Sequence, residues 1–362
     1  MAASVESSDD SGNVYDFKDS KTSGVMTVTK TWEDGQSNEE RPIPDISIST
    51  AKPSKNPLGY TITYHGNGLT FEDGTTENEI IVNSTGEIVS GSYKIPDGLF
   101  AGWYSDKDYT RRIEIDSNGL PVNGLVSDME LYAKSKTFVI KGGKLSEFSN
   151  DFNDLIPDTT TSMIFTDEMM PASATLIDVD ADGDGGVVAW MDETVMIVSS
   201  QIPGQNVIAA SSCYELFYRK SNLTSIKMNN FDTSKVNSME SMFYGCSKLR
   251  SLDLTPLDTS SCTDMSGMFY GCSKLTDLNL TSLNTSNVTS NVNSMNNMFG
   301  SCSKIAGFDL TSFDTHNVTN MSFMFSDCSA LIWLNLSPFS TDNVISMDGM
   351  FYSCSTLIDL EL

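Results

Sequence analysis

Positive charge is what this chain has least of. Its 362 residues include 22 Lys and Arg against 48 Asp and Glu, a formal net charge of −26. Nucleic acids are held by basic side chains that neutralise phosphates, so that class of partner is excluded, and an anionic membrane surface with it. Histidine is scarcer still. His65 and His316 are the only two, they fall in stretches of different character, and no Ser-His-Asp or Cys-His arrangement can be built from them. No apolar run is long enough for membrane insertion. The start, Met1-Ala2-Ala3-Ser4-Val5-Glu6, lacks the basic residues and apolar stretch of a signal peptide. The seven cysteines show no CxxC spacing. The acidic excess fits a soluble, self-repelling extracellular surface.

What is present is repetition. Phe243, Phe269, Phe299, Phe325 and Phe351 each follow a Met and each precede a Cys by three residues: Cys246, Cys272, Cys302, Cys328 and Cys354. A degenerate earlier copy has Leu216-Phe217, with Lys220 at the cysteine position. The step is 26 residues apart from one step of 30. A period of this size predicts a solenoid of about six turns, each copy being one turn. One part of each copy reads L-x-x-L-x-L, as in Leu249, Leu252 and Leu254, the leucine-rich-repeat signature with a short strand. The other reads V-x-x-M-x-x-M-F-x-x-C, as in Val236, Met239, Met242 and Phe243, and its spacing of three predicts a short helix. The expected fold is therefore mainly β with short helices, with a leucine-rich-repeat solenoid preceded by a small β-grasp-like domain. Between the two parts, Asp232-Thr233-Ser234 is placed to bond local backbone and cap the helical turn. One cysteine per turn in one register reads as small apolar core filler, as do the Met pairs. The long step comes from a near-duplication, Ser286-Asn287-Val288-Thr289 and Ser290-Asn291-Val292-Asn293, expected to bulge outward.

Five stretches follow. Residues 1–23 are polar, without periodicity, and expected to be disordered. Residues 24–57 hold the alternating strand Val25–Trp32 and then four prolines. Residues 58–135 open on Tyr60-Thr61-Ile62-Thr63-Tyr64, continue through Phe100-Ala101-Gly102-Trp103-Tyr104 and close on Met129-Glu130-Leu131-Tyr132. Trp103 and Tyr132 are expected to anchor a small core there. Residues 136–190 form a linker and N-terminal cap, and residues 191–362 form the solenoid. The chain stops at Leu360-Glu361-Leu362, inside the strand of a new turn, so a longer protein is expected.

Two sets of site residues stand out. Asp178, Asp180, Asp182 and Asp184 spell D-x-D-x-D-G-D. This resembles part of a calcium loop, but the glutamate at position twelve is missing. Calcium is the single cofactor candidate; the alternative is an acidic turn. The outward row of the repeat strands supplies the ligand-surface candidates Asp253, Asn279, Asp309, Trp333 and Asn335, with Trp333 the type of residue that anchors interfaces.

Three resemblances rest on these residues. Leu252-Asp253-Leu254 and Asp264-Met265-Ser266-Gly267-Met268-Phe269-Tyr270-Gly271-Cys272-Ser273, with the lead-in Asp184-Gly185-Gly186-Val187-Val188-Ala189-Trp190, resemble the BspA-like leucine-rich-repeat proteins over about residues 160–362. That resemblance implies a bacterial or protozoal surface protein engaged in adhesion, with no catalytic residues. The motifs of residues 58–135 resemble the Listeria–Bacteroides repeat, related to the internalin B-repeat, which implies a β-grasp-like spacer. Val28-Thr29-Lys30-Thr31-Trp32 resembles the opening of a Cna B-type domain. Lys30 would there be the isopeptide lysine, but no room remains for that family's closing strand. The reading that follows is a non-enzymatic, extracellular or cell-surface protein that recognises a host or microbial protein or glycan. The alternative is a structural stalk or spacer without binding of its own.

Overall fold

The computed structural model describes residues 59–143, 151–288 and 295–362, apart from residues 84 and 97, together with three strands upstream. The chain divides into two compact units, Met1–Ser54 and Lys55–Leu362. In the first, β1 (Glu6–Ser8), β2 (Val14–Asp19) and β3 (Met26–Lys30) form an antiparallel sheet in that order. Two of these strands fall in the stretch expected to lack regular structure. Lys30 closes β3, and the remainder of the Cna B-like segment lies outside the described residues.

In the second unit, a six-stranded mixed sheet comes first. It contains β4 (Tyr60–His65), β5 (Glu77–Val82), β6 (Ile88–Ser90), β7 (Phe100–Tyr104), β8 (Arg112–Ile113) and β9 (Met129–Ser135), in the order β6-β5-β4-β9-β7-β8. Its centre is the parallel pair β4–β9, with Tyr64 opposite Leu131. Alternation sends Ile62, Tyr64, Ile80, Val82, Trp103, Leu131 and Ala133 to one face. Trp103 is 1% exposed, touches Tyr64 edge-on at 4.9 Å, and donates its indole N–H to the Tyr93 hydroxyl at 2.9 Å. Tyr132 is buried too, but outside this core. It stacks on His65 at 4.8 Å, because a side chain between Leu131 and Ala133 must point to the opposite face.

The rest of the unit contains α1 (Phe152–Leu155), β10 (Ser162–Thr166), β11 (Val188–Asp192), β12 (Val195–Ser199), β13 (Val207–Ile208), β14 (Ser225–Lys227), β15 (Phe231–Asp232), β16 (Trp333–Asn335) and β17 (Asp359–Glu361). These make a mixed sheet in the order β11-β12-β10-β14 and the parallel pairs β13–β15 and β16–β17.

The expected fold class needs correction. The structure is a set of small β sheets: two mixed, one antiparallel and two parallel pairs among the described residues. Among the described residues its one helix is the four-residue α1, and α1 precedes the copies. The leucine-rich-repeat solenoid of strand-plus-helix turns is not seen, and neither is a helix in the supposed β-grasp-like domain. The leucine segments pair as strands only at β10–β14 and β16–β17.

The reason lies in the backbone of the Met-Phe segments. Ser241 and Gly245 adopt left-handed φ values of 55° and 72°, and the equivalent residues in later copies do the same: Gly267 and Gly271, Asn297 and Ser301, Phe323 and Asp327. A left-handed residue at every fourth position stops helix propagation. Donors then alternate. Met242, Tyr244 and Cys246 bond three residues back. Met239, Ser241, Phe243 and Gly245 instead bond carbonyls of the next copy, Asp264, Ser266, Met268 and Tyr270, at 2.7–2.9 Å. The three-residue spacing thus reports successive tight turns, and copies join one another through a backbone ladder. Phe217, Phe243, Phe269, Phe299, Phe325 and Phe351 stack along it with centroids 5.4–5.9 Å apart. The ladder keeps its pairing across the long step, with the Phe269 N–H on the Met298 carbonyl. The second half of the near-duplication lies outside the described residues.

Candidate functional site

Side chains complete what the ladder leaves unpaired. Thr259 is buried. Its hydroxyl donates to the Asn284 carbonyl at 3.0 Å and accepts from the Asn284 N–H at 2.7 Å. Thr233, Thr285 and Thr315 bridge to Asp258, Asp314 and Ser340 in the same way. Asp232, Asp258, Asn284 and Asp314 accept from the N–H two residues on, which closes a turn where a helix cap was expected.

The cysteines have a role beyond filling space. All seven are free, and six are buried. The thiols of Cys246, Cys272, Cys302, Cys328 and Cys354 donate to the carbonyls of Phe217, Phe243, Phe269, Phe299 and Phe325, each one copy back, at 3.0–3.2 Å. Burial pushes the thiols of Cys246 and Cys328 up to about 12, so they keep the proton they donate. At the first copy Lys220 takes this position and donates to the Ile156 carbonyl at 2.9 Å.

The outward candidates are placed as follows. Trp333 and Asn335 lie on β16; Asp253, Asn279 and Asp309 lie on irregular backbone. Asp253, Asn279 and Asp309 each accept from the N–H and hydroxyl of the threonine two residues on, and Asn335 accepts from the Ser337 N–H. These bonds hold the carboxyls of Asp253 and Asp309 below the usual range. One atom of each head group is therefore spent on its own turn. Trp333 differs: it is 46% exposed, and its indole lies against the backbone of Gly307, the same register position one copy earlier. A Cβ at Gly307 would come 2.3 Å from the ring, so only glycine lets the indole lie there.

In the acidic loop the structure gathers Asp180, Asp182 and Asp184, whose carboxylate oxygens lie within 4.8 Å of one another. Asp178 stands apart, 3.4 Å from the Lys141 ammonium. A cation is already at the cluster: the Lys134 ammonium lies 2.7 Å from Asp182 and 3.8 Å from Asp184. Asp184 accepts from the Thr137 N–H at 2.8 Å, so the loop clasps the chain leaving β9. Asp180 is 2% exposed and one of its oxygens has no partner. Burial, with Asp184 and Asp182 nearby, pushes its carboxyl up to about 6. As calcium ligands the fit is incomplete. Among these carboxylate oxygens only that buried one is unengaged, and an ion would have to displace Lys134.

One feature escaped the sequence reading. Tyr218, Tyr244 and Tyr270 follow the stacked phenylalanines and form a second column, half-buried, with centroids 5.0 and 4.6 Å apart. A groove of about 240 Å³ opens beside Tyr244 and Tyr270. The recurring Phe-Tyr pair was the available signal.

Residues 211–290 and 288–360 match a family model described as "Mycoplasma protein of unknown function, DUF285". No curated protein and no solved structure matches the chain. The two matched stretches run over the laddered copies, so what this chain shares with that family is the part that builds the repeated surface.

Proposed function

We propose that this is a non-enzymatic, extracellular or cell-surface protein that recognises a protein or glycan partner through the outward side of its copies. The observation that supports it most is Trp333: a large indole lying against Gly307 and still half exposed to solvent. Exposed aromatics in a polar surround are favoured interface anchors. Asp309 and Asn279 border the row, each with one head-group atom not used by its own turn. The two histidines are engaged at distant positions, His65 with Glu77 and His316 with Asp314, which favours binding over acid–base chemistry. The cell-surface part of the proposal rests on the BspA-like resemblance and the acidic composition.

The test is capture on immobilised matrix proteins and glycans. Wild type binds at least one partner, and Trp333→Ala lowers that affinity about thirty-fold, as for a central anchor. Equal binding by the variant would sink the proposal for this row. A stalk without binding is favoured by the local turn bonds of Asp253, Asn279 and Asp309, and wild type that captures nothing would establish it.

A further inference from the structure

The tyrosine column has an occupant of its own at one end. The guanidinium of Arg219 lies over the ring of Tyr218, 5.0 Å from its centroid, within the range where a cation is attracted by an aromatic face. The position of Arg219 is glycine in the next two copies, Gly245 and Gly271. Tyr244 and Tyr270 therefore carry no arginine of their own at that register. Beside them lies the groove of about 240 Å³, walled by Glu240, Ser241, Tyr244, Gly267, Tyr270 and Asn297. Gly267 keeps it open, since the same register holds Ser241 one copy earlier and Asn297 one copy later.

The groove is also negatively charged without compensation. Glu240 is half-buried, and its carboxylate has no hydrogen bond or ion pair among the described residues. Burial, then the nearby charges of Asp264 and Glu215, raise its carboxyl above the ordinary range. Two stacked phenol rings, a half-buried carboxylate and the Asn297 amide make a combination suited to a planar cation. A guanidinium can lie on a ring and donate to a carboxylate at once.

We propose that the groove at Tyr244 and Tyr270 binds an arginine side chain from a basic segment of a partner protein, its guanidinium on the Glu240 carboxylate beside the two rings. This deepens the recognition reading by naming a partner chemistry, at a site separate from Trp333, so the two can fail independently.

The test uses the full chain and the blocked tripeptide Ac-Gly-Arg-Gly-NH2, followed by amide chemical shifts at low salt. Shifts are expected at Gly267, Asn297 and their neighbours, with a weaker response to the lysine tripeptide and none to the glutamine one. Glu240→Gln is expected to weaken binding at least ten-fold. Gly271→Arg is expected to abolish it by supplying a guanidinium in place. That substitution fits, because Arg219 already holds φ 57° at this register and a Cβ at Gly271 meets only ordinary contacts, the nearest 3.5 Å away at the Gly245 Cα. Asp277→Asn removes one exposed charge from the outward row and serves as the control. Equal weakening by Glu240→Gln and Asp277→Asn would reduce the effect to general attraction by an acidic protein and overturn the proposal. So would shifts scattered outside the groove, unchanged binding by Gly271→Arg, or a stronger response to lysine than to arginine.

Discussion

The small sheet over residues 59–135 and the copies that follow bury aromatic rings in opposite ways. In the sheet, Trp103 meets Tyr64, Phe100 and Phe71 at interplanar angles of 65°, 54° and 19°, three different contacts each used once. In the copies, Phe243, Phe269 and Phe299 repeat a single parallel contact, tilted by 6° and 1°. One arrangement is a jigsaw around a central piece. The other is a sum of equal increments, in which each ring is supported from both sides. A jigsaw loses everything with its central piece, whereas a stack loses stability by neighbours.

That contrast is open to experiment. Trp103→Ala and Phe269→Ala are each expected to cost about 3–5 kcal/mol, as for large buried aromatics, but with different reach. Hydrogen exchange should accelerate throughout residues 59–135 in the first variant and leave the ladder protected. In the second it should accelerate on both sides of Phe269 and fade with distance. A uniform response to either change would show that the two regions do not differ as described.

A smaller effect separates filling from bonding in the stack. Cys302→Ala takes one of two donors from the buried Phe269 carbonyl, which keeps the Cys272 N–H at 3.1 Å, and should cost about 0.5–1.5 kcal/mol. Cys302→Ser, which restores a donor, should cost less. Chemical denaturation decides: a serine variant less stable than the alanine one would reduce the cysteine to packing alone.

A pH-dependent effect concerns the acidic loop that clasps the chain leaving β9. The Asp180 carboxyl moves from the ordinary 3.8 to about 6 on folding. The folded chain therefore holds this proton over a range where the unfolded chain releases it. Its contribution to stability falls as pH rises from about 4 to about 6 and does not return above that. Asp180→Asn should flatten this fall and raise the melting temperature at pH 8, by about 2–4 °C for each kcal/mol recovered. A melting profile from pH 4 to 8 with the same slope in both proteins would refute the assignment.

How much of this could be read beforehand depended on whether a pattern had one geometric meaning. The inward columns did: Val236, Met239, Phe243 and Cys246 are all fully buried. The period did not, since the leucine-rich-repeat solenoid it predicted gives way to small sheets and tight turns. The helix did not, because successive three-residue turns leave the same spacing as one helical face, and the left-handed φ at Asn297 or Phe323 has no reliable signature in residue type. Tyr132 was read as a core anchor although the alternation with Leu131 and Ala133 already placed it on the other face. In the acidic run the D-x-D-x-D-G-D pattern begins at Asp178, while the structure gathers only the three residues from Asp180 onward. For the tyrosine column the Phe-Tyr pair was the available signal, but the groove beside it had none, since it opens where Gly267 lacks a side chain.

The pairing of Phe269 with Met298 has a consequence for the history of such a chain. The rung after the long step repeats the donors and acceptors of the rungs before it, so extra residues between rungs leave no error of phase behind them. Insertions and whole duplications can then accumulate at that point without retuning their surroundings. It is where foreign peptides could be grafted, and where relatives should differ most in length.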